Sequence, residues 1–289
     1  GMAAGFSALF GTPAAAAVFA IEVTVVGIAH YSAIVPCLLS SLTAAMVADW
    51  FHVKPTSFLV RYIPEFHADS YFMLARTIIM GIAGAIVSIV FCKLMSKTAE
   101  LYKKYIKNPY LRILAGGAIV AAISMLIYAL TGSFDYNGAG TDIIKKAFIG
   151  QSRPEAFMLK MLLTALTLGC GFKGGEIVPS LYIGATFGCF FGGLLGLSHS
   201  FGAAVGLAAV FCGVTNCPFA TLLLTIELFG ADGLPYYALV IGISYMLSGY
   251  TGLYSAQKFY DNKFIHRRFR HLKTYKEIKT DSAANNGKD

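Results

Sequence analysis

The residue types best suited to chemistry in this chain stand together in Gly174-Gly175-Glu176-Ile177-Val178-Pro179. Two adjacent glycines free the backbone to turn, and a helix is expected to begin near Ile177. Its first amide N–H groups then have no internal partner, at the end where the helix dipole amounts to about half a positive charge. Such amides can hold an anion without a full cation, and a weakly held anion can also leave. Taken alone, the string is equally explained as a helix start that glycine permits. Elsewhere no nucleophile–base pair, metal cluster or phosphate loop stands out, so an enzyme, a metal and a cofactor are all unsupported. Six cysteines (Cys37, Cys92, Cys170, Cys189, Cys212, Cys217) lie scattered in apolar segments with no CxxC pair and no zinc spacing. They read as small hydrophobes.

The elements that must carry this turn are set by composition. Of 289 residues, 56% are apolar and only 13% are charged, about half the charge of an ordinary soluble domain. With a mean hydropathy of +0.65, this excludes a disordered chain and a soluble coiled coil. Residues 177 to 226 contain no Asp, Glu, Lys or Arg. Further charge-free runs cover 1–21, 24–48, 113–134 and 233–257. A bilayer core is crossed by about 20 apolar residues as a helix, and a soluble helix would show a polar stripe that these runs lack.

The net charge of +8 is unevenly placed. Lys93, Lys97, Lys103, Lys104, Lys107 and Arg112 surround the single acid Glu100, and the tail after Tyr260 carries eight lysines and arginines. Residues 49–69 hold two basic residues and three acids. Cytoplasmic loops collect Lys and Arg, which places 93–112 and the tail inside and 49–69 outside. The cluster His266-Arg267-Arg268-Phe269-Arg270-His271 needs only anionic lipid to explain it, and no nucleic acid is expected as partner.

Pro and Gly cut many of the apolar runs short. A helix from Pro13 to Glu22 is about 15 Å long, half a bilayer. The segment 156–170 is also short and ends in Gly169-Cys170-Gly171-Phe172-Lys173-Gly174-Gly175. Irregular backbone at membrane depth is tolerated only where protein or a water-filled cavity surrounds it, as in transporters. Two segments also resemble each other. Ala4 to Glu22 and Ala209 to Glu227 both place Gly or Asn two residues before a proline, then an uncharged stretch ending in Ile-Glu nine residues after it. Each proline reads as a helix start and each glutamate as its end.

These strings fall into one family pattern. Gly175-Glu176-Ile177-Val178-Pro179 resembles the GxFxP anion-binding motif of the CLC family of chloride channels and anion/proton antiporters. Leu253-Tyr254-Ser255-Ala256 looks like the segment that carries that family's anion-coordinating tyrosine. Pro13-to-Glu22 and Pro218-to-Glu227 are similar to the paired dimer-interface helices of its two inverted halves. The matches come in the family's order and cover nearly everything but the basic tail.

The resemblance implies an all-α membrane protein, a CLC-type inverted-repeat bundle of tilted and broken transmembrane helices. It implies a homodimer in the cell membrane, each multi-pass subunit with its own path for chloride or another small anion. By carry-over, the amides of Ile177 and Val178, with Glu176, face the anion beside the loop glycines Gly174 and Gly175. The Tyr254 hydroxyl, a neutral donor on an apolar ring, donates from the inner side. Lys173 adds positive potential at the entrance or snorkels to the interface. Ala14, Ile21, Phe219 and Leu223 are expected at the dimer interface.

Two departures bear on mechanism. Glu22 and Val23 mark the proton-path position, and Val23 stands where proton-coupled exchangers of the family place an internal proton-transfer glutamate. A valine carries no proton, so the protein is either an uncoupled channel or moves protons another way, as the fluoride-exchanging branch does. The string GFKGGE also looks like that branch. Glu22 itself reads as solvated or paired at a helix end facing the cytoplasm. The family's GREGP-type gate glutamate and GSGIP-type central serine do not occur here, and the chain opens within an apolar stretch. Residues 1–260 therefore read as a CLC-type transmembrane domain lacking its N-terminal part, and 261–289 as a basic cytoplasmic tail. Chloride transport leads, with fluoride/proton antiport and a non-conducting, dimerising fragment as alternatives.

Overall fold

The computed structural model describes all residues except 54, 56, 57, 59, 66–70, 262, 264–267 and 286–289, with backbone alone at 261, 268–271 and 281–285. Lys54, Asp69, His266 and Arg267, which entered the charge reading, lie outside the described residues. The helices in chain order are α1 (Met2–Phe10), α2 (Pro13–Glu22), α3 (Ile34–Trp50), α4 (Tyr71–Tyr105), α5 (Pro109–Thr131) and α6 (Thr141–Phe148). They continue with α7 (Ala156–Gly169), α8 (Ile177–Leu194), α9 (His199–Thr215), α10 (Pro218–Phe229), α11 (Leu234–Leu247) and α12 (Tyr275–Asn285). Four segments, Tyr31–Trp50, Tyr71–Tyr105, Pro109–Thr131 and Ile177–Leu194, are long and apolar enough to cross a membrane. Five shorter apolar helices, α2, α7, α9, α10 and α11, accompany them. The broken, half-length elements read from Pro and Gly are therefore present.

The matched segments fold alike in detail. Gly11 ends α1 in the left-handed region (φ 67), its amide bonded to the Ser7 carbonyl, and Pro13 opens α2 after Thr12. Asn216 ends α9 the same way (φ 58), its amide bonded to the Cys212 carbonyl, and Pro218 opens α10 after Cys217. Gly and Asn are the residues that tolerate this C-cap conformation. The intervening Thr12 and Cys217 have nearly equal angles, φ −122 and ψ 74 against φ −119 and ψ 77.

Helices α2 and α10 then pack antiparallel, fixed by an exchange of caps. The Glu22 carboxylate, at the end of α2, accepts from the amides of Phe219 (3.2 Å) and Ala220 (2.7 Å) in the first turn of α10. Glu227 returns the arrangement, accepting from Ala14 (3.0 Å) and Ala15 (2.8 Å) in the first turn of α2. Neither helix has a side-chain cap of its own, so each supplies the carboxylate the other needs. Glu22 is thus not a solvated end group, because its two oxygens are engaged by the partner helix.

The centre is α8 against α9. Every residue from Ser200 to Thr215 is buried, a helix apolar all round. Gly184, Gly188 and Gly192 of α8 face Gly202 and Gly206 of α9, and a Cβ at any of them would run into the opposing backbone. Small residues four apart let membrane helices approach this closely. Cys37 is half-buried and the other five cysteines are buried as free thiols, in keeping with a packing role.

One element departs from an all-helical architecture. A three-stranded sheet joins β1 (Val25–Val26), β2 (Lys258–Asp261) and β3 (Arg268–Thr274). Val25 and Val26 pair in parallel with Lys258 and Phe259, and β2 pairs antiparallel with β3. The strands straddle the expected boundary at 260/261 and tie the tail to the residues just after α2. A two-residue strand leaves no alternating pattern to read.

Candidate functional site

Helix α7 ends at Gly169, where a Cβ would press on Thr98 and Ala99 of α4. The Arg112 Nε of α5 donates to the Cys170 carbonyl at 3.1 Å, which holds the start of the following loop. The left-handed turn falls at Gly171 (φ 115), not at the Gly174-Gly175 pair expected to make it. A Cβ at Gly174 would meet Leu168, while Gly175 has open space around it. Glycine at 174 thus allows close approach, and that at 171 allows the bend.

Helix α8 begins at Ile177 as expected, with Glu176 at its N-cap and no side-chain cap bond. Pro179 contributes no amide N–H, and the Ser180 amide is already bonded to the Glu176 carbonyl at 3.2 Å. This leaves the Ile177 and Val178 amides, neither of which has an acceptor among the described residues. Both residues are half-buried, so the uncapped positive end of the helix is neither freely hydrated nor sealed.

Glu176 and Tyr254 line one cavity of about 610 Å³ together with Cys92, Lys93, Lys97 and Gln257. The Tyr254 side chain is half-buried, and its hydroxyl has no hydrogen-bond partner among the described residues. A donor of this kind, beside a helix start with two open amides, is suited to an anion. Lys173, by contrast, is exposed and is not among the described residues that line the cavity. Phe219 is 71% exposed, whereas Ile21 is only 6% exposed and packs within its own chain. Ala14 and Leu223 are half-buried. Val23 is buried, and its carbonyl accepts from the Gln257 Nε2 at 3.0 Å.

The loop that carries Tyr254 is held by residues that sequence reasoning passed over. The Leu253 amide donates to the Val214 carbonyl (3.0 Å) and the Gln257 amide to the Tyr254 carbonyl (3.1 Å). Asn216 Nδ2 donates to the Thr251 carbonyl (2.9 Å) and to Gln257 Oε1 (3.1 Å), and Gln257 Nε2 to the Thr215 carbonyl (2.8 Å). Lys160 of α7, 2% exposed, was missed as well. Its ammonium donates to the carbonyls of Tyr136 (3.2 Å) and Gly138 (2.5 Å) and stands 4.9 Å from the centre of the Tyr182 ring. A lone lysine within the apolar run 156–170 was the available signal. Among the described residues there is no group of three or more His, Cys, Asp or Glu able to hold a metal.

The chain is similar to several known proteins. A chloride/fluoride channel protein of Pseudomonas syringae pv. tomato is 34% identical over 89% of this chain and 57% of its own length. The H(+)/Cl(-) exchange transporter ClcA of Vibrio cholerae serotype O1 is 25% identical over 79% of this chain and 50% of its own. The solved structure of a CLC-type fluoride/proton antiporter matches with a TM-score of 0.82 at 32% identity, over 90% of this chain and 64% of that one. The chain therefore spans between half and two thirds of each of these relatives. Residues 1–249 match the model of the voltage gated chloride channels, and the chain belongs to that family, the CLC proteins.

Proposed function

We propose that this chain is the anion-binding and subunit-pairing part of a membrane protein that transports a small halide and is not an enzyme. The observation that carries this reading is the uncapped start of α8, where the Ile177 and Val178 amides have no acceptor among the described residues and follow directly on Glu176, which lines one cavity with Tyr254. The halide lies against these donors, with Glu176 at the same mouth. Two such subunits pair across α2 and α10, with exposed Phe219 and half-buried Ala14 and Leu223 on the outer face. The protein is multi-pass in the cell membrane, with residues 1–260 in the bilayer region and the basic segment 261–289 in the cytoplasm.

Chloride is the leading substrate, and fluoride exchanged for protons is a second reading with specific support. A relative at 34% identity and a solved structure at 32% are both named for fluoride, while the exchanger named for chloride alone stands at 25%. Val23 adds to this, since no acid follows Glu22. Flux from liposomes carrying the complete protein decides between them. Fluoride efflux with proton uptake and little chloride movement would reject the chloride reading, and leak no greater than in empty liposomes would reject transport altogether.

Tyr254→Phe removes one oxygen and keeps the ring. A hydrogen bond to an anion contributes about 1.5 kcal/mol, so the affinity for the halide is expected to fall about tenfold. Calorimetric titration with chloride and with fluoride checks this, and an unchanged affinity for both would remove Tyr254 from the site.

A further inference from the structure

Lys263 follows β2, outside the helices, yet its side chain reaches into the C-terminal end of α9. Its ammonium donates to Asn216 Oδ1 at 2.6 Å and to the Tyr245 carbonyl at 2.9 Å, and stands 3.9 Å from the centre of the Tyr245 ring. Its own amide donates to the Tyr250 hydroxyl at 3.0 Å. No carboxylate among the described residues pairs with it. Burial pulls its pKa from the usual lysine range down to about 7, which the nearby Cys212 and Cys217 only partly offset. A cation desolvated against carbonyls and a ring alone is costly, and such groups gather where function needs them.

The arrangement also decides which way Asn216 faces. An asparagine amide presents a carbonyl on one side and two N–H donors on the other. In its protonated form Lys263 only donates, so it draws Oδ1 towards itself and turns Nδ2 towards the Thr251 carbonyl and Gln257 Oε1. Those two acceptors belong to the loop that carries Tyr254. Without Lys263, the amide can flip and set its oxygen against theirs, which loosens the loop.

We propose that Lys263 is a positioning residue for the inner anion ligand: it orients the Asn216 amide, which fixes the 251–257 loop and with it Tyr254. This rests on the reading of Tyr254 as an anion ligand, and the test separates the two. Lys263→Met, Asn216→Gly and the double variant are made in the complete protein. Glycine keeps the left-handed backbone at 216 while removing the amide. Hydrogen–deuterium exchange follows the loop, with α8 and α9 as an internal control for folding. Calorimetry reads the affinity for chloride and for fluoride.

Each single variant is expected to speed exchange of the loop amides several-fold, with α8 and α9 unchanged. Halide affinity falls about three- to tenfold, as for one lost hydrogen bond, and the double variant is no weaker than the worse single one. Lys263→Met with wild-type loop exchange overturns the proposal, as do two effects that multiply in the double variant. A faster loop with unchanged halide affinity overturns it where Tyr254→Phe does weaken halide binding, and removes Tyr254 as a ligand where Tyr254→Phe leaves the affinity unchanged as well.

Discussion

Gly188→Ala is expected to destabilise the protein by roughly 3 kcal/mol, at the upper end of what overpacking costs, and to leave little monodisperse protein in detergent. The added methyl would sit inside contact distance of the Gly202 carbonyl oxygen and 2.9 Å from the Gly206 Cα. Both are backbone atoms of a helix buried on every side, so neither can swing away as a side-chain tip would. The interior is close-packed, and α9 can yield only by moving as a body. Gly242 provides the contrast. It lies within α11, and a methyl group added there would have open space to 4 Å around it, so Gly242→Ala should be neutral or stabilise by up to about 1 kcal/mol through helix propensity. Thermal melts of the two variants in one detergent compare them directly. Equal melting temperatures would mean that the glycine faces do not set the α8–α9 distance. Since α8 begins at the Ile177 and Val178 amides, a displaced α8 also moves the proposed anion ligands.

What could be read from the sequence was whatever is local. Pro13 and Pro218 opened helices where their fixed φ suits a first turn, and Ile177 began α8 after the glycine-rich string. The charge-free runs 24–48 and 113–134 and the start of 177–226 became helices long and apolar enough to span, because charge at bilayer depth is expensive. What could not be read depended on partners far along the chain. Glu22 lies 197 residues from Phe219, and no local pattern distinguishes a carboxylate in water from one that caps a distant helix. The glycines of α8 and α9 lay unnoticed because a helix buried all round has no polar stripe to orient it, so small residues four apart are its only facial signal. The turn at Gly171 was misplaced because several glycines stand within five residues, and only the packing against Arg112, Leu168 and Ile113 selects which one takes a positive φ. Lys263 looked like one of the basic tail residues, and its insertion beside Asn216 is again a tertiary fact.

Glu22→Ala and Glu227→Ala are each expected to cost roughly 2–3 kcal/mol, the combined effect of two charge-assisted hydrogen bonds lost and two amides left without partners. Glutamine keeps one acceptor oxygen without the charge that complements the helix dipole, so Glu22→Gln and Glu227→Gln should lose about half as much. The two caps sit at opposite ends of a helix about 15 Å long, far enough apart for the double glutamine variant to be additive within about 0.5 kcal/mol. Chemical denaturation in detergent micelles measures all of these. A Glu22→Ala protein as stable as the wild type would show that water or headgroups serve the Phe219 and Ala220 amides equally well. The same variants bear on subunit pairing. Phe219 and Ala220 are the residues whose amides Glu22 holds, and the Phe219 side chain is exposed on the face proposed for the second subunit. Loss of the cap frees the first turn of α10 to fray at that face. Self-association should therefore weaken more in Glu22→Ala than in Glu227→Ala, whose freed amides belong to Ala14 and Ala15 and carry only a methyl group each.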